Sequence, residues 1–84
     1  MYSVVLLPRA RKELAHLSRE SQERIGSAID SLRVDPFGGK KLEGKFRGAW
    51  ALRVWPHRIL YTIDQKIVTV TVLKIAHRQS VYKK

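Results

Sequence analysis

No cysteine occurs among the 84 residues, so the chain has neither a disulfide framework nor a thiolate nucleophile, and it suits a reducing cytoplasm. The three histidines, His16, His57 and His77, lack the short ligand spacings of a zinc site, and neither a metal nor a cofactor is expected. Long apolar runs are missing as well. The opening MYSVVLLP, residues 1–8, has no leading basic segment and no small-residue cleavage site, and it falls well short of the roughly 20 residues of a membrane span. Neither export nor membrane insertion is expected. Acidic residues are scarce, seven against seventeen lysines and arginines, for a formal charge of +10. That surplus on so small a body implies an anionic partner, whether nucleic acid, an acidic protein or an anionic membrane surface. Six of the seven acids lie at or before Glu43, leaving Asp64 alone in the C-terminal half. The length admits one domain, residues 1–84, because a chain this size hides only about 60–65% of the surface its unfolded form exposes.

What is present is a short series of elements with clear punctuation. Residues 2–7 (YSVVLL) are rich in aromatic and branched side chains and stop at Pro8, which predicts a strand at or near a sheet edge. Over residues 9–17, Ala10, Leu14 and Leu17 recur at i, i+4, i+7 with charged residues between them, the period of a short amphipathic helix begun by Pro8. Ser18 is a suitable N-cap for a second helix carrying Ile25, Ala28, Ile29 and Leu32 on one face, and Asp35-Pro36 ends it. The two form a hairpin. Residues 40–48 (KKLEGKFRG) hold Lys40, Lys41, Lys45 and Arg47 between glycines and read as a mobile basic loop. Strand patterns then follow at 49–55, with Trp50, Leu52 and Val54 on one face and Ala51, Arg53 and Trp55 on the other, at 58–63, and at 67–75, the last β-branched on both faces and so interior. The expected class is α+β: an N-terminal strand, a two-helix hairpin and a three-stranded meander, with the helices on one face of a mostly antiparallel sheet.

The chemistry-bearing residues gather at strand ends: Arg53 and Arg58 near the first strand turn, and His77, Arg78 and Tyr82 after the last strand. Carboxylate pairs and serine triads have no support in the sequence. Guanidinium groups grip a phosphate through paired hydrogen bonds and stabilise the charge that develops on phosphorus. Imidazole moves protons near neutral pH, and a tyrosine ring stacks on a base. Each residue also has a plain structural use. The ending HRQSVYKK (77–84) equally suits a solvated basic tail, Arg53 and Arg58 equally suit the wet face of a strand, Trp50, Tyr61 and Phe46 suit packing, and Lys40, Lys41, Lys45 and Arg47 suit a simple electrostatic footprint.

Several segments, in order and at their intervals, give the chain a resemblance to the RelE/ParE superfamily of bacterial type II toxins, and to its RelE-like branch in particular. They are PRARKELAHL (8–17), Asp35-Pro36, KLEG (41–44), LRVWPHRILY (52–61) and VLKIAHRQSVY (72–82), and the resemblance spans nearly the whole chain. It implies a toxin that enters the ribosomal A site and cleaves mRNA by attack of the 2′-hydroxyl on the adjacent phosphate, inhibiting translation, with no cofactor. It further implies an acidic cognate antitoxin in a hetero-oligomer, with ribosome and mRNA as the other partners. By position, Arg58 matches the arginine that holds the scissile phosphate and Arg78 the one that stabilises charge and protonates the leaving oxygen. Tyr82 matches the stacking tyrosine and His77 a histidine able to act as acid or base, while Lys40, Lys41, Lys45, Arg47 and Arg53 become RNA-binding. Ala51 departs from the pattern where RelE-like nucleases often carry a basic residue, and Ala76 departs where a glycine is common. The alternatives are a ParE-like toxin that inhibits DNA gyrase without nuclease activity, and a nucleic-acid-binding module without activity.

Overall fold

The computed structural model describes residues 1–77. β1 (Ser3–Leu6) starts the chain, and Pro8 opens α1 (Pro8–Ala15). Proline fits that position because the first-turn N–H has no partner within the helix. α1 stops two residues short of Leu17; His16 and Leu17 turn back instead, their amides donating to Glu13 and Leu14 carbonyls at 3.2 and 3.1 Å. Ser18 caps α2 (Arg19–Val34), its Oγ accepting from the Ser21 N–H at 3.2 Å. The Gln22 amide of α2 donates to the Leu14 and Ala15 carbonyls at 3.1 and 3.3 Å, which satisfies the exposed end of α1 and closes the hairpin. At the other end of α2 the Asp35 carboxylate accepts from Phe37 N–H at 3.0 Å, and Pro36–Gly38 makes one tight 3₁₀ turn.

The remaining strands are β2 (Lys40–Lys41), β3 (Trp50–Val54), β4 (His57–Asp64) and β5 (Thr69–His77), in the sheet order β1-β5-β4-β3-β2. β1 runs parallel to β5, and every other pairing is antiparallel. Both helices pack on one face, so the α+β class expected from the pattern is the observed one.

Besides the shorter α1, boundaries after Gly39 differ from the sequence reading. Lys40 and Lys41 are not loop: they pair with Ala51 and Trp50, making a fifth strand and a four-stranded meander. Two adjacent lysines carry no hydrophobic alternation, so nothing local announces that strand. The loop after it is anchored, not mobile. Leu42 N–H donates to the Ala49 carbonyl at 2.9 Å, and Leu42 and Ala49 are buried in a small apolar cluster with Ala51, Leu60 and Ala76 on the open face. The last strand also starts at Thr69 rather than at 67, because Asp64 accepts from the amides of Lys66 and Ile67 at 3.0 and 3.4 Å and Val68 takes a positive φ of 50°. Branched residues at 67 and 68 carry strand propensity, but side-chain capping of the turn decides against it.

The main core lies between sheet and helices. Ile25 and Leu32 from α2 and Ala10 from α1 meet Ile59, Tyr61, Val70, Val72 and Ile75; burying each large aliphatic side chain stabilises by about 1.5–3 kcal/mol. β5 carries one extra residue against β4: Leu60 faces Lys74 while Tyr61 faces Val72. That bulge lets Val72 and Ile75, three apart, both face the helices. β5 also runs on past the end of β1, and there the Ile75 N–H donates to Glu13 Oε1 at 2.8 Å, while Glu13 Oε2 takes Arg9 Nε at 3.1 Å.

Removing this carboxylate strands a part-buried amide. Glu13→Ala is expected to destabilise the fold by about 1–3 kcal/mol in chemical denaturation. Glu23→Ala, which breaks only an exposed 3.9 Å pair with Arg19, is expected to stay within about 0.5 kcal/mol. Equal small losses would remove Glu13 from this role.

Candidate functional site

β3 and β4 place Arg53 and Arg58 directly opposite each other. Alternation along both strands sets them on the open face, the same face as Ala51 and Leu60. Like charges facing each other across a sheet repel, and an anion placed between them is attracted to both. Beside them is a shallow depression of about 490 Å³ lined by Gly38, Gly39, Lys40, Ala51, Leu52, Arg53 and Arg58. Three of these side chains are cationic and none is acidic, so the depression carries a strongly positive potential. Its wall passes close to the sheet. A Cβ on Gly39 would lie 2.8 Å from the Ala51 carbonyl oxygen and against Tyr61 Oη, so glycine is needed there for space rather than for a special backbone angle. Ala51, which departs from the RelE-like pattern, forms part of the floor.

The other candidates separate. Lys41 pairs with Trp50 on the helix side, its ammonium 6.0 Å from the ring centroid, a cation–π distance. Lys45 lies in the 3₁₀ turn Gly44–Phe46 and Arg47 follows it; both are exposed, and neither lines the depression. His77 lies on the opposite side of the sheet from Arg58. Ala76 faces Arg58, so the next residue turns to the helix side and meets His57, ring centroids 5.7 Å apart and nearly perpendicular. The two imidazoles line a second groove of about 390 Å³ with Lys12, Glu13, His16, Leu17 and Ile75. Arg78 and Tyr82 lie outside the described residues. Sequence reasoning missed the Gly38–Gly39 wall, although two glycines directly before Lys40 were the available signal. It also gave His57 no role.

Around His57, Arg24 of α2 donates to the Trp55 carbonyl and so holds the β3–β4 turn, where Trp55 is more than half exposed. The imidazole pKa is lowered from 6.5, first by burial and then by the His77 and Arg24 charges.

A two-helix hairpin on a five-stranded sheet with opposed arginines on its bare face defines a class of small basic α+β proteins. A family model described as the ParE toxin of the type II toxin–antitoxin system parDE matches residues 4–82. The chain belongs to that family, within the RelE/ParE superfamily, and is a type II toxin. Toxin RelG of Mycobacterium tuberculosis is 31% identical over 85 residues, covering 99% of this chain and 98% of that protein. Among solved structures, the toxin–antitoxin complex RelBE2 of Mycobacterium tuberculosis matches with a TM-score of 0.86 at 29% identity, over 92% of this chain and 98% of that one. The archaeal RelE–RelB complex of Pyrococcus horikoshii shares the fold, with a TM-score of 0.81 at 24% identity over 95% and 98% of the two chains.

The lowered His57 pKa sets a pH dependence. The unfolded chain holds more protons than the folded one between the ordinary value of 6.5 and the lowered one, so stability rises with pH across that window. It is whole above about 6.5 and is lost as pH falls through the folded value. Melting temperature is expected to drop between about pH 7.5 and about pH 5.5, and His57→Phe to flatten the drop. Lys12, Glu13, His16 and His77 face the same groove; an unchanged profile in the variant would remove His57 as the source of the effect.

Proposed function

We propose that the protein is a ribosome-dependent mRNA endoribonuclease that inhibits translation. The observation that carries this reading is the opposition of Arg53 and Arg58 at a depression that, among the described residues, has no carboxylate in its lining. In the reaction the 2′-hydroxyl oxygen bonds to the adjacent phosphorus while the bond from phosphorus to the 5′-oxygen breaks, leaving a 2′,3′-cyclic phosphate and a 5′-hydroxyl. The substrate supplies the nucleophile, so the protein needs only to hold the phosphate and offset its growing charge, while water takes the 2′-hydroxyl proton and gives one to the leaving 5′-oxygen.

Arg58, half-buried in the middle of the sheet, grips the phosphate, and exposed Arg53 adds the second guanidinium. Guanidinium and ammonium groups stay charged, so Lys40, which also lines the depression, adds a third positive charge that offsets the one left on the 2′-oxygen. Arg78 offsets the charge on the leaving oxygen through a charged hydrogen bond, and Tyr82 stacks on the nucleotide. Lys45, Arg47 and Lys41 extend the positive field. His77 faces the helix groove, so this reading takes it out of the catalytic set. The protein works in the cytoplasm, held silent in a hetero-oligomer by an acidic antitoxin. Support for that partner comes from the net charge and from the related Rel toxins, which were solved in complex with their antitoxins. The helix-side groove with basic Lys12 beside apolar Leu17 and Ile75 suits an amphipathic acidic segment.

The reading is tested by toeprinting an mRNA on translating ribosomes, with a sample lacking ribosomes alongside. Cuts at the A-site codon are expected only with ribosomes, and Arg58→Ala is expected to slow them about 10²–10³-fold. Growth arrest without any cuts would favour the ParE-like alternative, a gyrase inhibitor, which a supercoiling assay then checks. Single-stranded RNA affinity is expected to fall with salt at a log–log slope of about −3 to −4, for about four to six phosphate contacts, and Arg58→Ala to flatten it by about 0.7. A slope near zero would be incompatible with this basic face as the RNA surface.

A further inference from the structure

We infer that Tyr61, through its hydroxyl, is a positioning residue for the anion-binding depression, fixing the Pro36–Lys40 segment that forms its wall. The inference rests on the reading of that depression as a phosphate site and names a further residue on which the site depends. Tyr61 stands at the middle of β4 with its side chain fully buried, its ring stacked on Trp50 with centroids 6.5 Å apart. Phenylalanine would fill that volume equally well, so the hydroxyl calls for a reason of its own. A buried phenol is retained where it finds partners, and both partners here lie on one segment. Tyr61 Oη donates to the Pro36 carbonyl at 2.7 Å, across 25 positions in sequence. The Gly39 backbone N–H lies against the same oxygen.

One hydroxyl therefore holds both ends of the turn between α2 and β2. Burial raises the phenol pKa, which keeps the proton in place for the Pro36 carbonyl. Gly39 completes the fit, since a methyl group there would meet both the hydroxyl and the Ala51 carbonyl. With Gly39 seated, Lys40 enters its pairing with Ala51 and is delivered to the side of the depression facing Arg53 and Arg58. Tyr61 itself does not line the depression, so its effect on a bound anion passes through the backbone of this segment.

The test uses inorganic phosphate as probe, followed by the amide resonances of Gly39 and Lys40 in the full chain. Tyr61→Phe is expected to weaken phosphate about five- to tenfold, the worth of about one hydrogen bond, with the folded spectrum retained. Gly39→Ala, which keeps the hydroxyl and displaces the segment, is expected to weaken it similarly. Trp50→Leu, which removes the ring beneath Tyr61 and leaves the hydroxyl, is expected to lower the melting temperature without altering phosphate affinity; a purely structural role for Tyr61 would make its variant behave the same way. Tyr61→Phe binding within about twofold of the parent, while Arg58→Ala loses binding, would overturn the positioning role and leave the phosphate site standing. Absence of saturable binding by the parent chain would overturn both.

Discussion

The extra residue in β5 opposite Leu60 and Tyr61 governs what each face of the sheet carries. In a regular strand, positions two apart share a face, and Lys74 would follow Val70 and Val72 into the core. With the bulge, Ile75 takes that place instead, and Leu73 and Ala76 join the cluster on the open face. The cost of desolvating an ammonium group enforces this register more strongly than any hydrogen bond in the ladder. Everything beyond the bulge inherits it. Ala76 comes to face Arg58, leaving room beside the guanidinium, and His77 goes to the helix side to meet His57.

The same division by faces organises the charge. On the helices, acids and bases offset one another in pairs such as Arg9–Glu13 and Arg33–Asp30. Glu13 has a further structural task, because its second oxygen takes an amide that β1 is too short to reach. The depression on the open face, by contrast, is lined by Lys40, Arg53 and Arg58 with no carboxylate among the described residues that line it. Clustered like charges of this kind repel one another, and an anion on that face relieves the repulsion. The apolar patch beneath, formed by Leu42, Ala51, Leu60 and Ala76, gives the face a floor rigid enough to hold the arginines in register.

Most of the scaffold was legible because its signals are local. Pro8, Ser18 and Asp35-Pro36 mark helix ends through backbone rules that need no tertiary context, and Trp50, Leu52 and Val54 alternate as a half-buried strand must. The misread segments are those where a distant contact outweighs local propensity. Lys40 and Lys41 become a strand only because β3 offers them partners. Residues 42–49 are anchored only because Leu42 finds an apolar patch assembled from three strands. Ile67 and Val68, strong strand formers, yield to a carboxylate cap on the turn.

The sequence by itself determined the order of elements, the basic surplus, and the presence of arginines near the β3–β4 turn, since all three follow from composition, periodicity and punctuation along the chain. Only the tertiary structure decided which of those charges act together. A one-residue bulge flips every later side chain of β5 across the sheet, and it falls where β4 sets Leu60 opposite Lys74 and Tyr61 opposite Val72. The bulge sends His77 away from the depression, while the β2–β3–β4 pairings bring Arg53, Arg58 and Lys40 to it, and contact with Pro36 turns Tyr61 from a packing residue into the anchor of the wall.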